Sequence, residues 1–273
     1  AAADGNLVSA LRGDGPFTVL APDNDAFTEF LDGADLGGVN TAVLSQILLN
    51  HVIAGAIKAE DLVALEAGYS KSLATGAGDN PMSIYFNATD GVTFNGISSV
   101  TLGDVVGTNG VIHAVDAVIG IPTVVTFAAA DPNFSTLVTA LTDLTPGVDF
   151  ASILSRTEGN NADRINPDFT VFAPTNDAFA KLDAIPGEVA LTGILLHHVK
   201  SEANITSGML PNPGETPADM LNGSIIIRLP GINGSLANIT DGSGNSSIGI
   251  TAVDVQAGNG VIHVVDTVLI PAE

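Results

Sequence analysis

The sequence contains no cysteine in its 273 residues. A disulfide framework, a thiolate nucleophile and a zinc or iron–sulfur site held by cysteine are therefore excluded. The fold must rest on its hydrophobic core, and 45% hydrophobic residues provide enough material for one. At roughly 100–200 residues per domain, this length predicts two domains.

Basic residues are scarce, because 8 Lys and Arg stand against 30 Asp and Glu, for a formal net charge of −22. Such a chain repels phosphate backbones, so we expect no nucleic-acid partner. Long apolar runs are missing too. A membrane-spanning helix needs about 20 apolar residues, and the stretches here are broken by Asp, Gly or Asn. We therefore expect no transmembrane segment.

Motifs of catalysis and cofactor binding are also missing. The sequence has no G-x-S-x-G nucleophile turn, no G-x-G-x-x-G dinucleotide motif and no phosphate-binding G-x-x-x-x-G-K-[ST] loop. No two of the five histidines are four residues apart, as a helical zinc site would require. We therefore predict no enzyme activity, no cofactor and no metal site.

The chain repeats itself, because three blocks of its first half recur in the same order in its second half. Residues 17–27 recur as 169–179, 47–52 as 194–199, and 109–116 as 259–266. Each copy is far longer than a solenoid repeat, so each should have its own core. This predicts a first domain over residues 1–122, with a short N-terminal part, and a second over residues 123–273. The second carries an inserted loop around residues 142–168, with a helical turn at Phe150–Leu154.

Apolar spacing in the first copy predicts helices early and strands late. Asp23 or Asn24 is expected to cap a helix that places Ala26, Phe27, Phe30 and Leu31 on one face. Further helices are predicted at Val39–Leu49, with Val43, Ile47 and Leu48 on one side, and at Ala59–Leu65. Strands are predicted at Phe17–Leu20, Ser83–Phe86, Gly91–Phe94, Ser98–Leu102 and Val111–Ile119. This order is typical of an α+β fold with a mostly antiparallel sheet.

Both copies resemble the fasciclin-type domain, called FAS1. Phe169–Phe179 and Phe17–Phe27 resemble the first family signature, and Asn109–Asp116 and Asn259–Asp266 resemble the second. The central block resembles the family's Tyr-His motif, with Asn50 and His197 in place of tyrosine. The resemblance implies two tandem domains, each a compact antiparallel β-wedge or sandwich flanked by several helices. It also implies an adhesion or matrix-association role, secreted or at the cell surface, which in a prokaryote means the outer surface.

The motif residues are interpreted as structural. His113 and His263 lie in strands of alternating Val, Ile and Ala, where a histidine is usually buried and hydrogen-bonded. The resemblance implies that His51 and His198 pack inside, with Asp25 and Asp177 as plausible partners. The remaining signature residues of this group are Asn24, Asn109, Asn176 and Asn259.

Two pairs, Asp104-Val105 and Asp254-Val255, are the candidate partner-binding residues. They match the position of an Asp-Ile pair that is tied to integrin binding in animal members of the family. The alternative is that each carboxylate fixes the Asn-Gly turn that follows it. Arg12-Gly13-Asp14 spells an RGD tripeptide, which is interpreted first as a turn that leads into the first strand.

The sequence therefore predicts an adhesion protein that binds an extracellular protein or polysaccharide surface without covalent chemistry. Two alternatives remain open. One is a module that binds a small ligand, a lipid or glycan, in an apolar cleft. The other is a passive surface spacer.

Overall fold

The computed structural model describes residues 8–9 and 11–273. The chain divides into two compact units, Ala1–Pro122 and Thr123–Glu273. Val8, Ser9 and Leu11 are helical.

The first unit contains seven strands whose order in the sheet follows the chain. They are β1 (Phe17–Pro22), β2 (Val52–Ala54), β3 (Ala67–Thr75), β4 (Pro81–Asn87), β5 (Thr93–Phe94), β6 (Ser98–Gly107) and β7 (Gly110–Val115). Neighbouring strands pair antiparallel, except that β7 pairs parallel to β1 and so closes the sheet on itself. The sheet is therefore antiparallel apart from the pair that joins the two signature motifs.

Helices of the first unit connect its early strands. They are α1 (Asn24–Leu31), α2 (Thr41–Asn50) and α3 (Ala59–Leu65), with short 3₁₀ turns at Leu36–Gly38 and Ala77–Asp79. Asp23 is the cap of α1, because its carboxylate accepts a hydrogen bond from Ala26 N at 2.8 Å. Asn24, the other candidate for the cap, is the first residue of the helix.

The second unit repeats this sheet with additional helices before it. Its strands are β8 (Phe169–Pro174), β9 (Val199–Lys200), β10 (Gly214–Asp219), β11 (Ser224–Leu229), β12 (Ala237–Thr240), β13 (Ile248–Ala257) and β14 (Gly260–Val265). The order in the sheet is β10-β11-β12-β13-β14-β8-β9, with β14 again parallel to β8. Within the described residues no ladder joins β9 to β10, so this sheet stays open there.

Helices of the second unit are α4 (Val124–Ala130), α5 (Ser135–Thr142), α6 (Phe150–Leu154), α7 (Asn176–Phe179) and α8 (Glu188–His197). Short 3₁₀ turns lie at Pro132–Phe134 and Ser207–Met209. Helix α6 lies in the inserted loop, where the sequence predicts a helical turn, and Asp149 caps it by accepting a hydrogen bond from Ser152 N at 2.9 Å.

Each unit has its own hydrophobic core. In the first unit the core includes Leu20, Leu62, Phe86 and Phe94. In the second it includes Phe172, Ile227, Ile239 and Ile250. The aromatic side chains therefore occupy different positions in the two copies of one fold.

The helix faces differ in part from the prediction. In α2 the buried residues are Leu44, Ile47 and Asn50, whereas Val43 is exposed. In α1 Ala26 is buried and Phe30 is exposed. The polar Asn50 belongs to the buried face because its amide donates to Gly120 O at 3.0 Å and accepts from the Ser72 hydroxyl at 2.9 Å.

Candidate functional site

The Asp104-Val105 pair lies at a β-bulge in β6. The register between β6 and β7 shifts between Leu102 and Val105, and Asp104 has a left-handed backbone with φ of +59°. Aspartate tolerates this conformation better than most residues because its short side chain can hydrogen-bond locally. The same bulge recurs in β13, where Asp254 has φ of +60°.

The bulge is held to the segment before α3 by a chain of hydrogen bonds. Ala59 N donates to the Asp104 carboxylate at 3.0 Å, and Asp104 N donates to His113 Nδ1 at 3.2 Å. Since Nδ1 accepts, the proton of His113 lies on Nε2, which donates to Ile57 O at 2.9 Å. Backbone groups thus bond to both ring nitrogens of the buried His113, as its interpretation as a structural residue requires.

The second unit has the same network. Ser207 N donates to the Asp254 carboxylate at 2.8 Å, the Ser207 hydroxyl donates to its other oxygen, and Asp254 N donates to His263 Nδ1 at 3.4 Å. His263 Nε2 in turn donates to Ile205 O at 2.8 Å. Both carboxylates therefore bind the segment that follows β2 or β9. These hydrogen bonds differ from the alternative expectation, in which each carboxylate fixes the Asn-Gly turn that follows it.

Removing the Asp104 carboxylate is expected to destabilise the first unit. Asp104→Ala removes the acceptor of the first N–H of α3, at about 1 kcal/mol, and places alanine in a left-handed conformation, at about 1 kcal/mol more. Asp104→Asn keeps an acceptor and tolerates the backbone, so its loss should be smaller. Tyrosine fluorescence during urea unfolding measures this, because both tyrosines, Tyr69 and Tyr85, lie in the first unit. Equal stability of Asp104→Ala and wild type would contradict the assignment.

The two Asp-Val pairs differ in exposure. Val105 is 42% exposed and Val255 is 4% exposed. Asp104 is exposed, and Asp254 is half-buried. Val105 is therefore accessible for an apolar contact at the surface, whereas Val255 is not.

Exposed apolar residues surround Val105 in the first unit. Val105 pairs across the sheet with Ile112, which is 38% exposed. Leu102, before the bulge, pairs with Ala114 on the same face and is exposed as well. Val106 is 76% exposed but belongs to the opposite face, where it pairs with the buried Val111. We call Leu102, Val105 and Ile112 the β6–β7 patch.

The corresponding surface of the second unit is covered by its own helices. Ile262, at the position of Ile112, is 2% exposed. Helix α4 packs on β8 and β14, and Val124 and Leu154 lie opposite Val171 and Ile262 across a narrow apolar space. Part of this cover has no counterpart in the first copy, because Arg12–Pro16 stands where the second copy has the inserted loop with α6.

His51 and His198 are buried and satisfied by backbone groups. His51 Nδ1 donates to Ile47 O at 2.8 Å and Nε2 accepts from Ile119 N at 2.9 Å. His198 makes the same bonds to Ile194 O and Leu269 N. Each histidine thereby joins the end of a helix to the segment after the last strand of its unit.

The predicted contacts of these histidines with Asp25 and Asp177 are wrong. Both aspartates lie exposed in the first turns of α1 and α7, whereas the histidines are buried and bond to the backbone. Burial lowers the pKa of His51, and it lowers the pKa of His198 to about 4, so both are neutral at pH 7.

The signature asparagines connect distant segments. Asn259 donates to Leu154 O at 2.8 Å and Arg156 O at 2.9 Å, and accepts from Val124 N at 3.0 Å. Asn109 donates to Leu11 O and Gly13 O, both at 2.8 Å. These side chains therefore organise the fold.

Two further predicted groups lie elsewhere in their units. Asn176 accepts from Thr136 N at 2.9 Å and donates to Pro132 O at 2.9 Å, which ties α7 to α5. Arg12, Gly13 and Asp14 form an exposed turn before β1. The RGD tripeptide is therefore accessible, and its Gly13 carbonyl is held by Asn109.

The described part of the chain has neither a metal-binding cluster nor a membrane-spanning helix. Residues 8–9 and 11–273 contain no cluster of three or more histidine, aspartate or glutamate side chains placed to hold a metal ion. Among these residues no helix is both long and apolar enough to cross a membrane.

Equivalent strands are neighbours in the same order in both sheets. Each unit also has an aspartate at a β-bulge, a buried histidine in its last strand, and a signature asparagine that hydrogen-bonds to distant segments. The chain is therefore a tandem pair of α+β domains of one type. A family model described as Fasciclin domain matches residues 1–122 and 132–271. The chain belongs to the fasciclin-domain family, which confirms the resemblance seen in the sequence.

Several known proteins are similar to this chain. Protein sll1483 of Synechocystis sp. is 38% identical over 117 residues, which cover 42% of this chain and 60% of that protein. Transforming growth factor-beta-induced protein ig-h3 of Sus scrofa is 32% identical over 208 residues, 73% of this chain and 26% of that protein. The chain thus spans only part of the length of either relative.

A solved FAS1 domain pair from the insect cell adhesion molecule fasciclin I has the same fold. It covers 97% of this chain and 92% of its own, with a TM-score of 0.55 and 21% identity. The α+β tandem architecture is therefore confirmed by a structure of low sequence similarity.

Proposed function

We propose that this chain acts in adhesion or matrix association outside the cell, by non-covalent binding and without catalysis. Membership of the fasciclin-domain family supports this, since a solved relative is a cell adhesion molecule. The observation that carries the proposal is the exposed β6–β7 patch of the first unit, whose counterpart in the second unit is buried.

The chemistry of the patch defines its partner. Leu102, Val105 and Ile112 offer apolar contact, and the exposed Asp104 lies next to Val105 in the chain. With a net charge of −22, the chain attracts a partner whose apolar surface has basic groups around it. A protein surface fits this description better than a neutral polysaccharide, and the proposed site consists of Asp104, Val105 and their neighbours.

Polar substitutions in the patch are expected to weaken binding. Leu102→Ser with Val105→Ser should raise the Kd for a retained surface roughly tenfold or more, because each substitution loses about 1 kcal/mol of apolar burial in the complex. The unfolding midpoint should change little, since both side chains are exposed. The measurement is retention on matrix proteins, polysaccharides and whole cells at low and high salt.

Two matched variants interpret this assay. Val189→Ser changes an equally apolar, exposed residue on α8 and should bind like wild type. Asp14→Ala tests the RGD turn and should also bind like wild type. Unchanged retention of the Leu102→Ser, Val105→Ser variant would move the site away from the patch, and no retention of wild type on any surface would favour a passive spacer.

A further inference from the structure

A cavity of about 170 Å³ lies in the core of the second unit. It is located between the sheet strands β11–β13 and the 3₁₀ turn Ser207–Met209, and it is lined by side chains such as Leu210, Ile227, Leu229 and Val253. Leu210, Leu229 and Val253 are only partly buried. The cavity therefore lies near the surface of the unit, where its lining residue Leu236 is exposed.

The first unit closes the same position with a helix. Ala59 and Ser207 are equivalent, because each donates its N–H to the bulge aspartate. From Ala59 the helix α3 continues to Leu65 and buries Leu62 against the core. Leu210, three residues after Ser207 as Leu62 is after Ala59, is only partly buried.

Two prolines explain why the helix is not repeated. Pro211 and Pro213 follow the 3₁₀ turn of the second unit. Proline lacks an N–H, and its ring clashes with the preceding helical turn. A helix like α3 therefore cannot extend through these positions, and the turn that replaces it leaves the core beneath it incompletely filled.

The lining of the cavity selects for an uncharged ligand. Its two polar side chains, Ser207 and His263, direct their hydrogen bonds into the fold: the Ser207 hydroxyl donates to Asp254, and both His263 nitrogens bond to backbone. The Asp254 carboxylate lies directly behind them and repels an anion. An apolar cavity of about 150 Å³ stays dry and binds benzene, so this volume suits a molecule with one hydrocarbon ring.

We propose that this cavity is a binding site for a small, uncharged hydrophobic molecule about the size of a substituted benzene ring. The site belongs to the second unit, whereas the proposed adhesion patch belongs to the first. Each proposal can therefore fail without the other.

Titration of the full chain with toluene, followed by NMR of its methyl groups, tests this. Saturable shifts are expected at Leu210, Leu229 and Val253, and none at Leu62 of the first unit. Benzoate, an anion of similar size, should cause no such shifts. Wild type that shows no saturable shift up to the solubility limit of toluene, or that binds benzoate equally well, would overturn the proposal.

Filling the cavity should abolish binding. Leu210→Phe is expected to weaken toluene binding at least tenfold, and Leu229→Phe is the second variant should the first fail to fold. Met209→Ala changes an exposed neighbour that does not line the cavity, and it should bind like wild type. Wild-type affinity in both phenylalanine variants would place the toluene elsewhere.

Discussion

Replacing Asn259 with alanine is expected to lower the free energy of unfolding of the second unit by about 3–5 kcal/mol. The buried side chain satisfies Val124 N, Leu154 O and Arg156 O. Alanine leaves three backbone groups without this partner, and each unsatisfied buried group costs about 1–3 kcal/mol. Far-UV circular dichroism during urea unfolding measures the loss. Tyrosine fluorescence should not change, because both tyrosines lie in the first unit.

Asn109→Ala is the matched control for this prediction. Asn109 is half-buried, and within residues 8–9 and 11–273 its side chain makes two bonds, to Leu11 O and to Gly13 O in a region where water can replace it. We expect a loss of about 1 kcal/mol, in the first unit only. Equal losses for the two variants would contradict the view that deeper burial distinguishes Asn259.

Acidification is expected to destabilise the second unit through His198. Desolvation lowers the pKa of His198 from 6.5 to about 4, with smaller opposing effects of the Ile194 carbonyl and Asp241 and a further lowering by His197. The unfolded state therefore binds more protons between these pH values. The stability is fully present above pH 6.5 and is lost as the pH falls towards 4, by about 3 kcal/mol in total.

His198→Gln separates this effect from the titration of the carboxylates. The variant has no titrating group at this position. Between pH 6.5 and 4, the slope of its unfolding free energy against pH should therefore be smaller than that of wild type, by close to the contribution of one bound proton. Urea unfolding across this range, compared with wild type, measures the difference. Identical pH dependence of the two proteins would show that His198 is not kept neutral by the fold.

Local sequence pattern was sufficient for several elements. Ala59–Leu65 is a helix with the predicted bounds, and β4 and β6 contain the predicted strands. Strand β2 has only three residues and follows α2 directly, which leaves too few positions for a burial pattern. In β3, Ser72 is buried beside Asn50, and a polar residue in a core position hides the alternation.

Only the features of the site that depend on residues close in sequence were predictable. The Asp-Val pairs were located from their motif, but the burial of Ile262, in contrast to the exposed Ile112, depends on helices distant in sequence. A signal for the patch does exist in β7. Its run Val111-Ile112-His113-Ala114-Val115 has no polar face, which is typical of a strand covered on both sides. Because Arg12–Pro16 replaces the longer segment of the second copy, a strand of this kind in the first copy indicates an exposed apolar surface.

Helix α4 has a consequence for any attempt to isolate the second domain. The family match of the second domain begins at residue 132, after this helix. A fragment cut at that residue would lose the N–H that Asn259 binds, and it would open the apolar strands β8 and β14 to solvent. Such a fragment would expose an apolar surface that helix α4 covers in the intact chain. Its self-association could be mistaken for adhesive activity. The useful point of excision lies before Thr123.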